Sequence, residues 1–380
     1  MSTNNTQKKP ISFITLNVRH DHHQNSTLTP FAAPPTKENP FDTNEFYGEQ
    51  PWSIRKWKVM DTILLYSPDI VALQETVYHQ ILDLEALLGE EYEWVGVGRE
   101  DGDKEGEISA IFYKSDVLSI EFWKTVWLSE TPENVGSIGW DARHSRTATQ
   151  ILFKREDDGS KFTVFNTHMD HVGSTSREKS AKLLLERARE ASSEGPVFLL
   201  GDLNATEEDP AYLVLTNSKY KDTKGQNDTL ANLEELNNVC ASASVNKTGV
   251  PVRTTEGSIT LPTHRVIRPG RILENLKKKE HSEQTDMHFV DARYELVTRL
   301  TSKGAPGTLS GPFGYRDTLT SFGTGDSETE RAPICIDYIL VLDVPKFNIH
   351  VQHYAVLSNK FDDGLYFSDH RPVLSRISWH

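Results

Sequence analysis

The sequence predicts an α/β fold. Three observations carry that reading: short apolar runs of strand length, amphipathic segments of helical period set between them, and polar groups placed where the strand-like runs stop. Ile11 to Leu16 predicts a buried strand ending at Asn17. His20 to Pro51 is rich in Pro, Thr and Asn, lacks either period, and predicts an excursion over the surface. Trp52 to Tyr66 predicts a helix with Ile54, Trp57, Met60, Ile63 and Leu64 on its inner face, stopped by Pro68. Ile70 to Leu73 then predicts a strand that delivers Gln74 and Glu75, and Val77 to Leu88 a second helix closed by Gly89.

Trp94 to Val97, Ile108 to Tyr113 and Leu118 to Trp127 predict successive strands, and Thr147 to Phe153 with Lys161 to Asn166 a hairpin around Asp157-Asp158-Gly159. Ser174 to Ala191 predicts a helix with Leu183, Leu184 and Ala188 inward. Val197 to Leu200 leads as a strand into Gly201-Asp202. Ile334 to Leu342, Ile349 to Val356 and Val373 to Ile377 predict the last strands. Residues 1–10 read as a flexible tail, and 11–380 as one domain with a polar insertion at about 219–284.

With 37% hydrophobic and 25% charged residues among 380, the chain reads as a soluble globular protein. No apolar run approaches the roughly 20 residues that cross a bilayer, and no membrane association is expected. The N-terminus lacks the apolar core of a secretory signal, which predicts a cytoplasmic protein, with the nucleus as the alternative. Cys240 and Cys335 offer neither a disulfide framework nor zinc-type spacing. A net charge of −14 disfavours tight sequence-independent binding to a polyanion and favours a compact substrate. No obligate protein partner is expected.

The polar groups form a set. They are Thr15-Leu16-Asn17-Val18-Arg19, Gln74-Glu75, Asn166-Thr167-His168-Met169-Asp170-His171, Gly201-Asp202-Leu203-Asn204, Asp337 within Ile336 to Ile339, and Ser368-Asp369-His370-Arg371. A lone Gln-Glu is ordinarily an exposed strand end, and Gly-Asp-Leu-Asn is also good turn chemistry. Asp202 and Asn204, two apart beyond a strand, can face the same side. His20, His22 and His23 sit in the polar loop and read as solvated.

In this order the motifs resemble those of the endonuclease/exonuclease/phosphatase (deoxyribonuclease I-like) superfamily. Trp94 to Gly102, Gly106-Glu107, Ile111-Phe112-Tyr113 and Gly139-Trp140-Asp141 ahead of Arg146 resemble a bacterial and fungal branch of it. The resemblance implies a four-layer sandwich of two packed β-sheets flanked by helices, with the site at one end. It implies a phosphoester hydrolase, phosphatase or phosphodiesterase, using metal-activated water. Mg²⁺, with Mn²⁺ as a substitute, would be held by Glu75, Asn17 and Asp369. Asp202 would orient or deprotonate the water, and Asn204 would donate to the phosphate. His370 held by Asp337 and His168 buttressed by Glu107 would flank the phosphate. Arg99, Arg146, Trp140 and His171 are candidates for gripping the rest of the substrate, against surface ion pairs or core cover as the plainer reading. The substrate is expected to be a phosphorylated small molecule. The alternative is nucleic acid, for a nuclease such as a deadenylase-like 3′-exonuclease. A binding protein with an inert site is a third reading, against which the complete ligand set argues.

Overall fold

The computed structural model describes residues 9–21, 49–218, 287–295, 313–323 and 333–380, with isolated positions 235, 270, 273 and 274 and the strand backbones 298–300 and 306–309. Cys240, His22, His23 and most of the predicted insertion, the expected tail and the surface excursion lie outside these residues.

The strands in chain order are β1 (Ile11–Asn17), β2 (Ile70–Gln74), β3 (Tyr92–Val95), β4 (Ile111–Lys114), β5 (Leu118–Trp127), β6 (Thr147–Arg155), β7 (Lys161–His168), β8 (Val197–Asp202), β9 (Phe289–Asp291), β10 (Thr298–Leu300), β11 (Pro306–Leu309), β12 (Phe313–Gly314), β13 (Asp337–Leu342), β14 (Ile349–Val356) and β15 (Val373–Trp379). The helices are α1 (Trp52–Tyr66), α2 (Tyr78–Leu88), α3 (Ser174–Ala191), α4 (Pro210–Thr216) and the short α5 (Ala292–Glu295). One sheet runs β12-β14-β15-β1-β2-β4-β3 and the other β5-β6-β7-β8-β13-β9.

β1 shows why the central strands read as unbroken apolar runs: both of its faces are covered. Ile11 and Phe13 point into the core between the sheets, while Ile14 and Leu16 point to the layer under α1 and α2. Phe13, Phe162, Phe198 and Trp379 fill the space between the sheets, with ring centroids 4.7 Å apart for Phe13–Phe198 and 5.2 Å for Phe162–Trp379. A third cluster, with Ala181, Leu184, Leu185 and Ala188, seats α3 on the outer face of the second sheet. The order of layers is therefore helix, sheet, sheet, helix, as expected.

Local signals set the ends. Ser67 closes α1 in the left-handed region (φ 44°), and Pro68 has no N–H with which to continue it. Asp209 caps α4 by accepting from Ala211 N at 2.9 Å, with Pro210 in the first turn. Several expectations need correction. Leu64 is exposed and Val59 buried, because α1 meets the sheet along residues nearer its start. In α3, Leu185 rather than Leu183 is fully covered. The strand expected from Ile108 begins at Ile111, since Ile108 bridges instead to Thr76 and Gly98. Similarly, β13 begins at Asp337 because Ile334 pairs with Leu319. No helix among the described residues is long and apolar enough to cross a membrane.

Candidate active site

Strand ends from both sheets meet at one rim. Asn17 ends β1 in register with Gln74, so Glu75 follows directly beside it. His168 ends β7 opposite Asp202, which ends β8, and Asp202 is in turn paired with Asp337 at the start of β13. His370 comes from the loop before β15. A polar tie joins the sheets beneath: Gln74 Nε2 donates to Asn166 Oδ1 (2.7 Å), and Asn166 Nδ2 to the carbonyls of Leu73 and Ala110. Gly201 is required here, at φ 137°, because a Cβ would lie 2.0 Å from the Thr167 carbonyl oxygen.

The sheet seam is crossed by Asn17, whose Nδ2 donates to Glu75 Oε1 (2.9 Å) and Asp202 Oδ2 (3.1 Å). Glu75 sits at φ 58°, where a residue with a side chain is uncommon. Its Oε2 lies 3.0 Å from His20 Nδ1 and 3.8 Å from the Arg19 guanidinium. Burial pushes the Glu75 carboxyl up, but the His20 hydrogen bond and the charges of His168 and Arg19 outweigh it and hold it well below the usual range. Asp202 goes the other way: burial and the charge of Asp337 push it up, despite His370 and His168.

His370 lies between two carboxylates. Its Nδ1 is 2.8 Å from Asp337 Oδ2 and its Nε2 3.7 Å from Asp202 Oδ2. Burial opposes its charge, yet Asp337, Asp369 and Asp202 together raise its pKa well above the ordinary imidazole value. With Nδ1 turned to Asp337, Nε2 is the ring atom that faces Asp202 and the site. Potential ligand atoms of Asp202, Asp337 and His370 lie within 4.8 Å of one another, as a metal site would require. In this arrangement His370 Nδ1 and Asp337 Oδ2 are spent on each other at 2.8 Å.

His168 faces Asp202 from the other flank, Nε2 to Oδ2 at 3.6 Å. Asn204 Nδ2 reaches both Met169 O (2.9 Å) and His168 Nε2 (3.0 Å). His168 Nδ1 lies 3.3 Å from Glu107 Oε2. Arg99 Nη1 also donates to Glu107 Oε2 (2.7 Å), and Arg146 Nη1 lies 3.4 Å from the same oxygen and 2.9 Å from His168 Nδ1. Arg146 can only donate, so His168 Nδ1 is the acceptor in that last contact. Burial pushes Glu107 up, but His168 and Arg99 bring it down to about 2.

Both arginines are buried, so neither is a surface ion pair. Arg146 Nη2 continues to His171 Nδ1 (3.1 Å), whose ring stacks on His144 with centroids 6.0 Å apart. Asp170 anchors the adjoining turn, accepting from Val172 N (2.9 Å) and Gly173 N (2.7 Å). Trp140 is half-buried on the neighbouring loop, its N–H directed at Glu130 (3.2 Å to each oxygen), and the next residue, Asp141, caps α3 through Ser176 N (2.6 Å). Asp369 is half-buried and acts through its charge on Arg19 and His370. His20 is the main correction: it is not a solvated loop residue but a partner of Glu75. Its signal was spacing, three residues past Asn17. The Tyr338 hydroxyl was also missed, reaching the carbonyls of Ala205 and Cys335 (2.9 Å each) and so tying the Asp202 and Asp337 segments together.

A hard divalent cation fits the Asn17–Glu75–Asp202 corner. The carboxylate oxygens of Glu75 and Asp202 are the ligands on offer, with Asn17 Nδ2 set between them and its Oδ1 turned to Arg19 N (2.9 Å). Glu75 is held ionised, and the raised pKa of Asp202 marks negative charge that a cation would offset.

A family model described as "Endonuclease/Exonuclease/phosphatase family" matches residues 14–370. Among solved structures, an endonuclease/exonuclease/phosphatase from Bacteroides vulgatus is 25% identical, covering 98% of this chain and 100% of that one, with a TM-score of 0.63. The mannosyl-6-phosphatase Bt3783 of Bacteroides thetaiotaomicron is 24% identical over 97% of this chain and 99% of its own, with a TM-score of 0.60. Nocturnin of Drosophila melanogaster is 24% identical over 192 residues, 46% of this chain but only 28% of that protein's length.

Proposed function

Because the chain belongs to the endonuclease/exonuclease/phosphatase family of phosphoester hydrolases, we propose that it cleaves a phosphate ester of a small organic molecule with Mg²⁺, or Mn²⁺ in its place. The observation that carries this reading is geometric: Asp202, His168 and His370 converge on one corner, with Asp337 holding the His370 ring and a raised Asp202 carboxyl facing both imidazoles. Two groups whose environments push their proton affinities to opposite purposes supply a base and a donor in one site.

Glu75 and Asn17, with Asp369 beside them, would hold the cation, which when bound polarises phosphoryl oxygen and acidifies water. Asp202 Oδ2 accepts the proton of the attacking water. The imidazoles of His168 and His370 stand 3.6 and 3.7 Å from that oxygen, too far for direct hydrogen bonds. That leaves His370 Nε2 free to meet an oxygen of a substrate phosphate. His370 Nε2–H then donates to the phosphate as charge develops, while Asp337 fixes the ring through Nδ1. Asn204 orients His168, its amide nitrogen shared between the ring Nε2 and the Met169 carbonyl. Arg99, Arg146 and His171 line the side on which the remainder of the substrate would rest.

The net charge of −14 and the fold likeness to a mannosyl-6-phosphatase support a compact substrate. The family also contains nucleases, and that reading predicts binding that weakens steeply with salt. The test is a product screen with Mg²⁺ and Mn²⁺ across sugar phosphates, nucleotides, phosphoinositides, and single-stranded RNA and DNA. Phosphate released from a small ester, and lost in His370→Ala and Asp202→Asn, supports the proposal. Cleavage of polynucleotides alone favours the nuclease, and inactivity on every substrate removes both.

A further inference from the structure

Arg55 is a full positive charge in the interior, 1% exposed, on α1, and it was assigned no chemical role above. Its guanidinium is spent on backbone carbonyls: Nε donates to Gln50 O (2.7 Å), Nη1 to Val18 O (2.5 Å) and Phe367 O (3.0 Å), and Nη2 to Arg19 O (3.0 Å). The nearest carboxylate oxygen, on Glu49, is 3.8 Å away. The indole of Trp52 covers it, with the ring centroid 5.4 Å from Cζ. Burial makes this charge costly, as the lowering of its pKa shows. A cost of that kind is offset only where the geometry of five fixed donors is needed.

The carbonyls identify what is gained. Val18 and Arg19 immediately follow Asn17, and Phe367 immediately precedes Ser368-Asp369-His370, 312 residues away from Arg55 in sequence. The same two segments touch at Ser368 Oγ, which donates to Asn17 O and accepts from His370 N (3.1 Å). We propose that Arg55 is a positioning residue: its guanidinium locks the Asn17 exit and the His370 loop into one relative placement. This takes the phosphohydrolase reading of the site as given. A lysine keeps the charge but not the fork, and cannot reach carbonyls lying in four directions.

The test compares wild type, Arg55→Lys and Arg55→Ala with p-nitrophenyl phosphate and bis(p-nitrophenyl) phosphate, after thermal melts establish that each is folded at the assay temperature. Both variants should lose about 10- to 100-fold in kcat with KM within about threefold. Guanidinium chloride at about 10 mM should restore part of the Arg55→Ala rate, as an occupant of the emptied site. In parallel, the His370 ring resonances should move in Arg55→Lys. This readout needs no turnover, so an inactive wild type would defeat the phosphohydrolase reading while leaving Arg55 tested. If Arg55→Ala does not fold, Arg55→Lys carries the comparison. Unchanged kcat in a folded variant, or an unmoved His370 ring, overturns the proposal.

Discussion

Replacing Asp337 by Asn keeps the shape of a fully buried side chain and an oxygen for His370 Nδ1–H, but removes one negative charge. A charge-assisted hydrogen bond contributes about 1.5–3 kcal/mol against about 1 for a neutral one, so the variant should lose about 1–2 kcal/mol of stability. The pH dependence has a definite sign. The His370 pKa is raised in the fold, so its stabilisation is complete below the unfolded value of about 6.5 and fades as pH rises through the higher folded value. The gap between wild type and variant should be widest at about pH 5–6.5 and narrow above that. Catalysis should fall about 10²- to 10⁴-fold, and the alkaline limb of the rate profile should move down toward about pH 6.5. Equilibrium denaturation across pH and a kcat–pH profile on the best substrate measure both. An alkaline limb unmoved by the substitution would refute the account of His370 as an Asp337-held acid.

Glu75→Gln should weaken Mg²⁺ binding by at least about tenfold in calorimetry, with the fold intact by circular dichroism. Asp170 is brought down to about 2 by the N–H groups of Gly173 and Val172 against the opposing effect of burial. Its stabilisation is present above the unfolded pKa of about 3.9 and lost as pH falls toward 2. Asp170→Asn should therefore cost about 2 kcal/mol near neutrality, and the difference should close in acid titrations of stability. Phe198→Ala, between the sheets, should cost about 3–5 kcal/mol in denaturant melts.

The chemistry was more legible than the packing around it. Asn17, Glu75, His168 and Asp202 each stand where an apolar run stops, and a strand buried on both faces announces its end by that change of composition. The family resemblance supplied the pairing of sheets, which periodicity alone does not encode. Buried charge was illegible. An isolated arginine on an amphipathic helix reads as solvated, and only the chain's return at Phe367 makes an interior partner for Arg55. The same holds for Arg146, whose partners come from residues 107, 168, 170 and 171. Leu64 misled because a helical period marks a stripe but not its width: Ile63 is buried and the next residue is not.

Arg19, Glu75 and Asn204 share one trait: each turns its chain through left-handed backbone, at φ 59°, 58° and 46°. At such positions the main chain screens replacements before chemistry does, tolerating glycine and asparagine best. A random library at residue 75 would thus be enriched in folded members that offer no carboxylate. For a lineage carrying this chain, the easiest drift at that position leads to a well-folded, catalytically silent descendant.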